Sequence, residues 1–146
     1  MKKGIEVMTK YNELLKIEEE LKGDKFGEWI HDKEHKGTED DPIHLPFPNY
    51  TETVFKFIQA IYNFEKNNPD YKLNEYSQIL EHNGYDNINI KTIDVSEMDD
   101  KCIMALLMFL VRGERFSDGF ILTALKAGTV QRCFKRLREI LASQNN

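Results

Sequence analysis

The chain has 146 residues, of which 40% are hydrophobic, 31% charged and 11% aromatic. That is the size and composition of one globular domain with a single core, and it excludes a disordered or fibrous chain. The start, MKKGIEVMTKYNELLKIEEE, lacks the apolar stretch of a signal peptide, and the longest apolar run, Cys102–Val111, is about half of what a bilayer span needs. A cytoplasmic protein with no membrane attachment is expected.

Residues 5–21 place Ile5, Met8, Tyr11 and Leu15, with Leu14 beside them, at helical spacing before Gly23. This predicts an amphipathic helix whose solvated face is Glu18–Glu20. Phe26-Gly-Glu-Trp-Ile30 and Ile43-His-Leu-Pro-Phe47 are short and aromatic and are separated by the polar string HDKEHKGTEDDP. They predict a two-stranded hairpin with residues 31–41 as a mobile tip. Pro48–Thr51 is expected to open a second helix with the inner stripe Val54, Phe57, Ile58, Ile61 and Tyr62, ended by Asn67-Asn68-Pro69. Leu73, Tyr76, Ile79 and Leu80 mark a third helix that stops at Asn83-Gly84.

Ser96 with Asp99 reads as a capping box opening a central helix that runs to Arg112 and is apolar nearly all round. Ile103, Leu106, Leu107 and Leu110 are the expected centre of the core. Gly113 and Gly119 permit a bend, a short helix runs to Gly128, and the last helix carries the stripe Val130, Cys133, Phe134, Leu137 and Leu141. Cys102 and Cys133 lack C-x-x-C spacing and read as free buried thiols. The fold class is mainly α: one domain over 1–146, a bundle of about five helices with one small β-hairpin.

Charge is unevenly spread. Residues 1–100 carry 12 Lys/Arg against 22 Asp/Glu, and residues 101–146 carry 8 against 3. Lys126, Arg132, Lys135, Arg136 and Arg138 make the final helix basic. Such a helix can bind nucleic acid, but the net charge of −5 and the lack of interleaved aromatics favour neutralisation of its own chain or of a second copy.

Four constellations carry chemistry. His31-Asp-Lys-Glu-His35 matches the H-x-x-E-H string of inverted zinc peptidases, which needs both histidines on one helix face. Flanked by Gly27 and Gly37 and lacking an apolar stripe, it reads as a loop, so no metal or other cofactor is assigned. Glu39-Asp-Asp41 lacks the alternating oxygen ligands of a calcium loop and reads as a solvated tip. His44 and Leu45-Pro-Phe-Pro-Asn-Tyr50 form a stiff stretch beside Trp29, either an aromatic ligand groove or a strand-to-helix connection, the latter favoured.

The fourth is Arg112-Gly-Glu-Arg-Phe-Ser-Asp-Gly119, four charges at the end of the core helix. Charges there need partners or solvent. One reading is a joint in which Arg112 and Arg115 pair with carboxylates, and Arg115 is then expected to be partly buried. The other is a site in which Arg112 or Arg115 clamps an anion and Glu114 or Asp118 acts as base.

These motifs resemble a family of small bacterial proteins catalogued as a domain of unknown function. The resemblance rests on Phe26–Ile30 with its tryptophan, Pro46-Phe-Pro-Asn-Tyr50, Arg112–Gly119 and the helix of Gly128–Ile140, and covers most of residues 10–141. It implies no activity, substrate or catalytic residue.

The leading expectation is a binding or regulatory module contacting an unknown protein or small anionic ligand through Trp29, His44, Tyr50 and the 112–119 corner. A small hydrolase or transferase acting on a phosphate- or nucleotide-containing substrate is the alternative, and nucleic-acid binding by the last helix the second. A homodimer is compatible with every one of these.

Overall fold

The computed structural model describes residues 2–43 and 45–144, and the side chains of 2–9 lie outside that description. His44, one of the candidate ligand residues, therefore lies outside the described residues. Helix α1 spans Lys2–Leu21, strand β1 Gly27–Ile30, strand β2 Phe47–Tyr50, and helix α2 Glu52–Asn67. Two 3-10 turns, Pro69–Tyr71 and Leu73–Glu75, lead into α3, Tyr76–His82. Helices α4 (Asp100–Gly113), α5 (Phe120–Ala127) and α6 (Thr129–Gln144) complete a mainly α domain with one hairpin, six helices among the described residues where about five were expected.

Helix α4 is the hub and contacts α2, α3, α5 and α6. Ile103, Leu106, Leu107 and Leu110 are all fully buried, as its uninterrupted apolar sequence predicts. Along α1 the buried positions are Tyr11, Leu14, Ile17 and Leu21, so Leu14 rather than Leu15 carries the inner stripe. Cys102 and Cys133 are free and buried. No described helix is long and apolar enough to cross a membrane.

Two boundaries differ from expectation. Helix α4 starts at Asp100 and its cap is Asp99, whose carboxylate accepts the Cys102 N–H at 2.8 Å. Ser96 lies outside the helix, because Val95 and Met98 bury themselves in the preceding turn and hold the chain non-helical there. The second strand is Phe47–Tyr50, not Ile43–Phe47, and α2 opens only after the cap Thr51. Pairing decides this. Asp24 accepts the Thr51 hydroxyl at 2.7 Å and the Phe26 N–H at 2.9 Å, and the Thr51 N–H donates to the Phe26 carbonyl at 2.9 Å. That closes the base of the hairpin with Gly27 opposite Tyr50 and Trp29 opposite Pro48.

The basic face of α6 holds its own chain together. The Arg132 guanidinium donates to the carbonyls of Ala127 and Lys91, each at 3.1 Å, Arg136 Nε to that of Met98 at 2.8 Å, and Arg138 Nε to the Glu18 carboxylate at 2.6 Å. These bonds fasten the 85–99 connector and α1 onto α6. Thr129, the buried polar residue at its start, donates its hydroxyl to the Ile90 carbonyl.

Candidate functional site

Helix α4 ends at Gly113, where only a glycine fits beneath the Phe120 ring: a Cβ there would fall 2.5 Å from Phe120 Cε2. The chain then turns on bonds from the Arg115 N–H to the Arg112 carbonyl and from the Phe116 and Ser117 N–H groups to that of Gly113. Gly119, with φ of +86°, aims it into α5. No side chain is tolerated there, since a Cβ would meet Trp29 Cζ2 and sit 2.8 Å from Trp29 Cη2. Trp29 of the hairpin is thereby seated on the corner.

A helix start leaves its first N–H groups without intrahelical acceptors, and Gly119 has no side chain to offer. Glu114 fills that need from five residues away. Its Oε2 accepts the Gly119 N–H at 2.8 Å, and its Oε1 accepts the Ile121 N–H at 2.9 Å and the Tyr50 hydroxyl at 2.7 Å. Tyr50 in turn accepts the Leu122 N–H at 3.2 Å. The negative charge also sits where the helix dipole favours it. Burial, and then the adjoining Glu114 carboxylate, raise the Tyr50 hydroxyl well above the usual tyrosine pKa, so it stays protonated and donating. One carboxylate and one phenol thus join α4, the hairpin and α5.

The arginines do not make this joint. Arg112 turns to α2, 3.8 Å from the Glu65 carboxylate and 5.6 Å over the Tyr62 ring, with a buried Nε that makes no hydrogen bond among the described residues. Arg115 is exposed, which corrects the expectation of burial, and forms no ion pair among the described residues. Phe116 is 87% exposed, and Ser117 and Asp118 are exposed with it. The turn geometry sends 115–118 outward while Glu114 and Gly119 face in. Glu114 and Asp118, four residues apart, would repel on one helix face, but α4 has already ended at Gly113.

Of the candidates, Trp29, Tyr50, Glu114 and the 115–118 tip come together. His31 and His35 do not join them. They flank a separate cleft of about 360 Å³ that also involves Ile30, Leu45 and Phe47. Their string forms no helix, so they do not share a helix face, and Asp32 holds His35 Nδ1 at 3.0 Å. Among the described residues no group of three or more His, Cys, Asp or Glu is arranged to hold a metal. A larger cleft, about 440 Å³, lies by Tyr85, Asp86, Ile88 and Phe109 and contains none of the candidates.

One cluster went unforeseen. Asp100 Oδ2 accepts the hydroxyls of Tyr71 at 2.6 Å and Tyr11 at 3.0 Å, and Lys10 Nζ lies 3.4 Å from the Tyr71 oxygen. Burial raises both tyrosines well above their usual pKa, so they act as donors that tie α1 and the first 3-10 turn to the start of α4. The two bonds to Asp100 span 29 and 89 residues, and no local pattern announces them.

Residues 8–143 match a family described as a family of unknown function (DUF6508). The chain belongs to that family. No curated protein and no solved structure matches it.

Proposed function

We infer that this member of DUF6508 is a protein-binding module and that its contact residues are Arg115, Phe116 and Trp29. The observation that carries the reading is Phe116, 87% exposed on a turn whose two ends are fastened by Glu114 and Tyr50. A large aromatic on a turn whose backbone is already fixed leaves a partner only its side-chain rotamers to order, which lowers the entropic cost of contact. Aromatic and arginine anchors are the residues that dominate interface energies. Trp29, 40% exposed, stands at the far end of the turn with its ring against Gly119. Arg115 is open to a partner's carboxylate, so an extended acidic segment with apolar residues is the ligand that complements the tip.

The hydrolase or transferase reading loses support because both oxygens of Glu114 already accept protein hydrogen bonds and Asp118, the other candidate base, is exposed on the tip. The nucleic-acid reading loses support because Arg132, Arg136 and Arg138 are spent on their own chain.

Selection of peptides from a random library on the immobilised chain tests the inference, with Trp29, the chain's single tryptophan, as fluorescent reporter. Acidic, apolar binders are expected whose affinity falls about tenfold or more in Phe116→Ala and in Arg115→Ala, while Lys135→Ala binds normally. Binders indifferent to Phe116 and Arg115, at unchanged urea midpoints of the variants, would overturn it.

A further inference from the structure

From Cys102 to Val111 every residue of α4 is buried except Phe109, and Phe109 lines the cleft of about 440 Å³ beside α3. Tyr76 and Phe120 meet its ring in T-shaped contacts, 6.2 and 5.6 Å between centroids, and fix it there. The rest of the cleft follows from the way α3 ends. Ser77 and Glu81, four residues apart, share one face of α3. Gly84, with φ of +86°, reverses the chain, and the Tyr85 N–H closes on the Leu80 carbonyl at 2.9 Å. Tyr85 and Asp86 are thereby folded back into the same cleft.

The lining is aromatic and acidic. Tyr85 and Phe109 supply rings, Glu81 and Asp86 supply exposed carboxylates, and no lysine, arginine or histidine lines the cleft among the described residues. Glu18, Glu20, Glu65 and Glu139 each have a basic partner. The side chains of Glu81 and Asp86 make neither a hydrogen bond nor an ion pair among the described residues. Burial raises the Tyr85 hydroxyl above its usual pKa, and Cys102 and the carboxylates of Asp94, Glu97 and Asp99 raise it further, so this wall stands among acidic groups. An anion would be repelled there. Two carboxylates are too few for a metal centre, and no larger group of ligands is arranged among the described residues.

We propose that this cleft binds a small organic cation, an ammonium group carried on a flat apolar body. The rings of Tyr85 and Phe109 cover the body and attract its charge, and Glu81 and Asp86 hold the ammonium through charge-assisted hydrogen bonds. The bound molecule also takes out of water the one residue of the hub helix's apolar run that the fold leaves open. The volume falls in the range of about 300–1,000 Å³ usual for small-molecule sites. Arg115, Phe116 and Trp29 take no part, so the site is independent of the contact proposed at Phe116.

Titration of the isotope-labelled chain with phenethylammonium at neutral pH, followed in its amide spectrum, is the test. Shifts should concentrate at residues 77–88 and at Phe109 and saturate with a Kd of about 1 mM or below. Phenethyl alcohol, which replaces the ammonium with a neutral hydroxyl, should bind about tenfold more weakly. Glu81→Gln and Asp86→Asn should each raise the Kd about threefold and together about tenfold, at unchanged urea midpoints because both residues are exposed. Glu139→Gln, on α6, should bind as the wild type does. No saturable shift at the cleft up to about 20 mM, equal binding of the alcohol, or a Kd indifferent to both carboxylates overturns the proposal. So do shifts spread evenly over acidic residues elsewhere, which would report only attraction to the net charge of −5. Acetyl-lysine amide carries the same ammonium on a flexible stem; tighter binding of it than of phenethylammonium would assign the cleft to a protein side chain and overturn the small-molecule reading.

Discussion

Replacing Glu114 probes how the corner is held. Its carboxylate receives three donors, the N–H groups of Gly119 and Ile121 and the Tyr50 hydroxyl, at 2.7–2.9 Å. Hydrogen bonds to a charged acceptor contribute about 1.5–3 kcal/mol each. They share one partly exposed group that water can reach once it is vacated, so Glu114→Ala should cost about 2–4 kcal/mol rather than the full sum. Glu114→Gln keeps the shape and one carbonyl oxygen for Tyr50 and Ile121 but turns an amide NH₂ toward the Gly119 N–H. One donor is stranded, and about 1–2 kcal/mol should be lost. Tyr50→Phe removes both the donor to Glu114 and the acceptor for Leu122, and should cost about 1–2 kcal/mol. Because the residues share a bond, the double variant should lose less than the two singles together, by about 0.5–3 kcal/mol. Urea titrations of the wild type and these four variants give these values directly, and a domain of ordinary stability remains folded enough for them to be read. Arg115→Lys in the same series should leave the midpoint where it was. If Glu114→Gln and Tyr50→Phe were both neutral while Arg115→Lys was damaging, the corner would be held by the arginine and the account refuted.

Gly119→Ala should destabilise by about 2 kcal/mol or more, since it combines a positive φ with a collision against the Trp29 ring, and the Trp29 emission maximum should move to the red as the ring is displaced. Leu107→Ala should cost about 2–5 kcal/mol in a denaturant titration, as a fully buried leucine on the hub helix; a loss below about 1 kcal/mol would mean that the core centres elsewhere. Alkaline pH should unfold the protein earlier than its charge alone suggests. Burial pushes the Cys102 thiol up to about 11 and that of Cys133 to about 12 from an ordinary 9.0, and Tyr11, Tyr50 and Tyr71 are raised too. The unfolded chain then holds fewer protons than the folded one, so the stability these groups confer is whole below about pH 9 and declines as pH rises through 9–12. A thermal midpoint flat from pH 8 to 11 would contradict this.

The helices were legible where one face is apolar over several turns. The ten apolar positions from Cys102 leave α4 no exposed side, and its burial follows. The hairpin's existence could be read from its aromatic segments, but not its register. Ile43 and Leu45 look like strand residues and are exposed, because pairing is set by Asp24, Phe26 and Thr51 at the base, residues that carry no strand pattern. At the corner, pairing with carboxylates at the end of the core helix would draw Arg115 inward. Phe120 does pack inward, against Gly113, but the turn between Gly113 and Gly119 swings Phe116 and Arg115 the other way. The role of Glu114 was out of reach for a related reason. It depends on Gly119 lacking a capping side chain and on Tyr50 arriving from a strand 64 residues earlier.

Amide hydrogen exchange at the start of α5 tests the central claim most directly. N–H groups at a helix N-terminus ordinarily exchange freely for want of an acceptor. Here the Gly119, Ile121 and Leu122 amides should be protected far beyond that of Asp118 in the tip, and Tyr50→Phe should release Leu122 before Gly119. Free exchange at all three, with the rest of α5 protected, would show that Glu114 and Tyr50 do not cap the helix and that the outward tip has no rigid base.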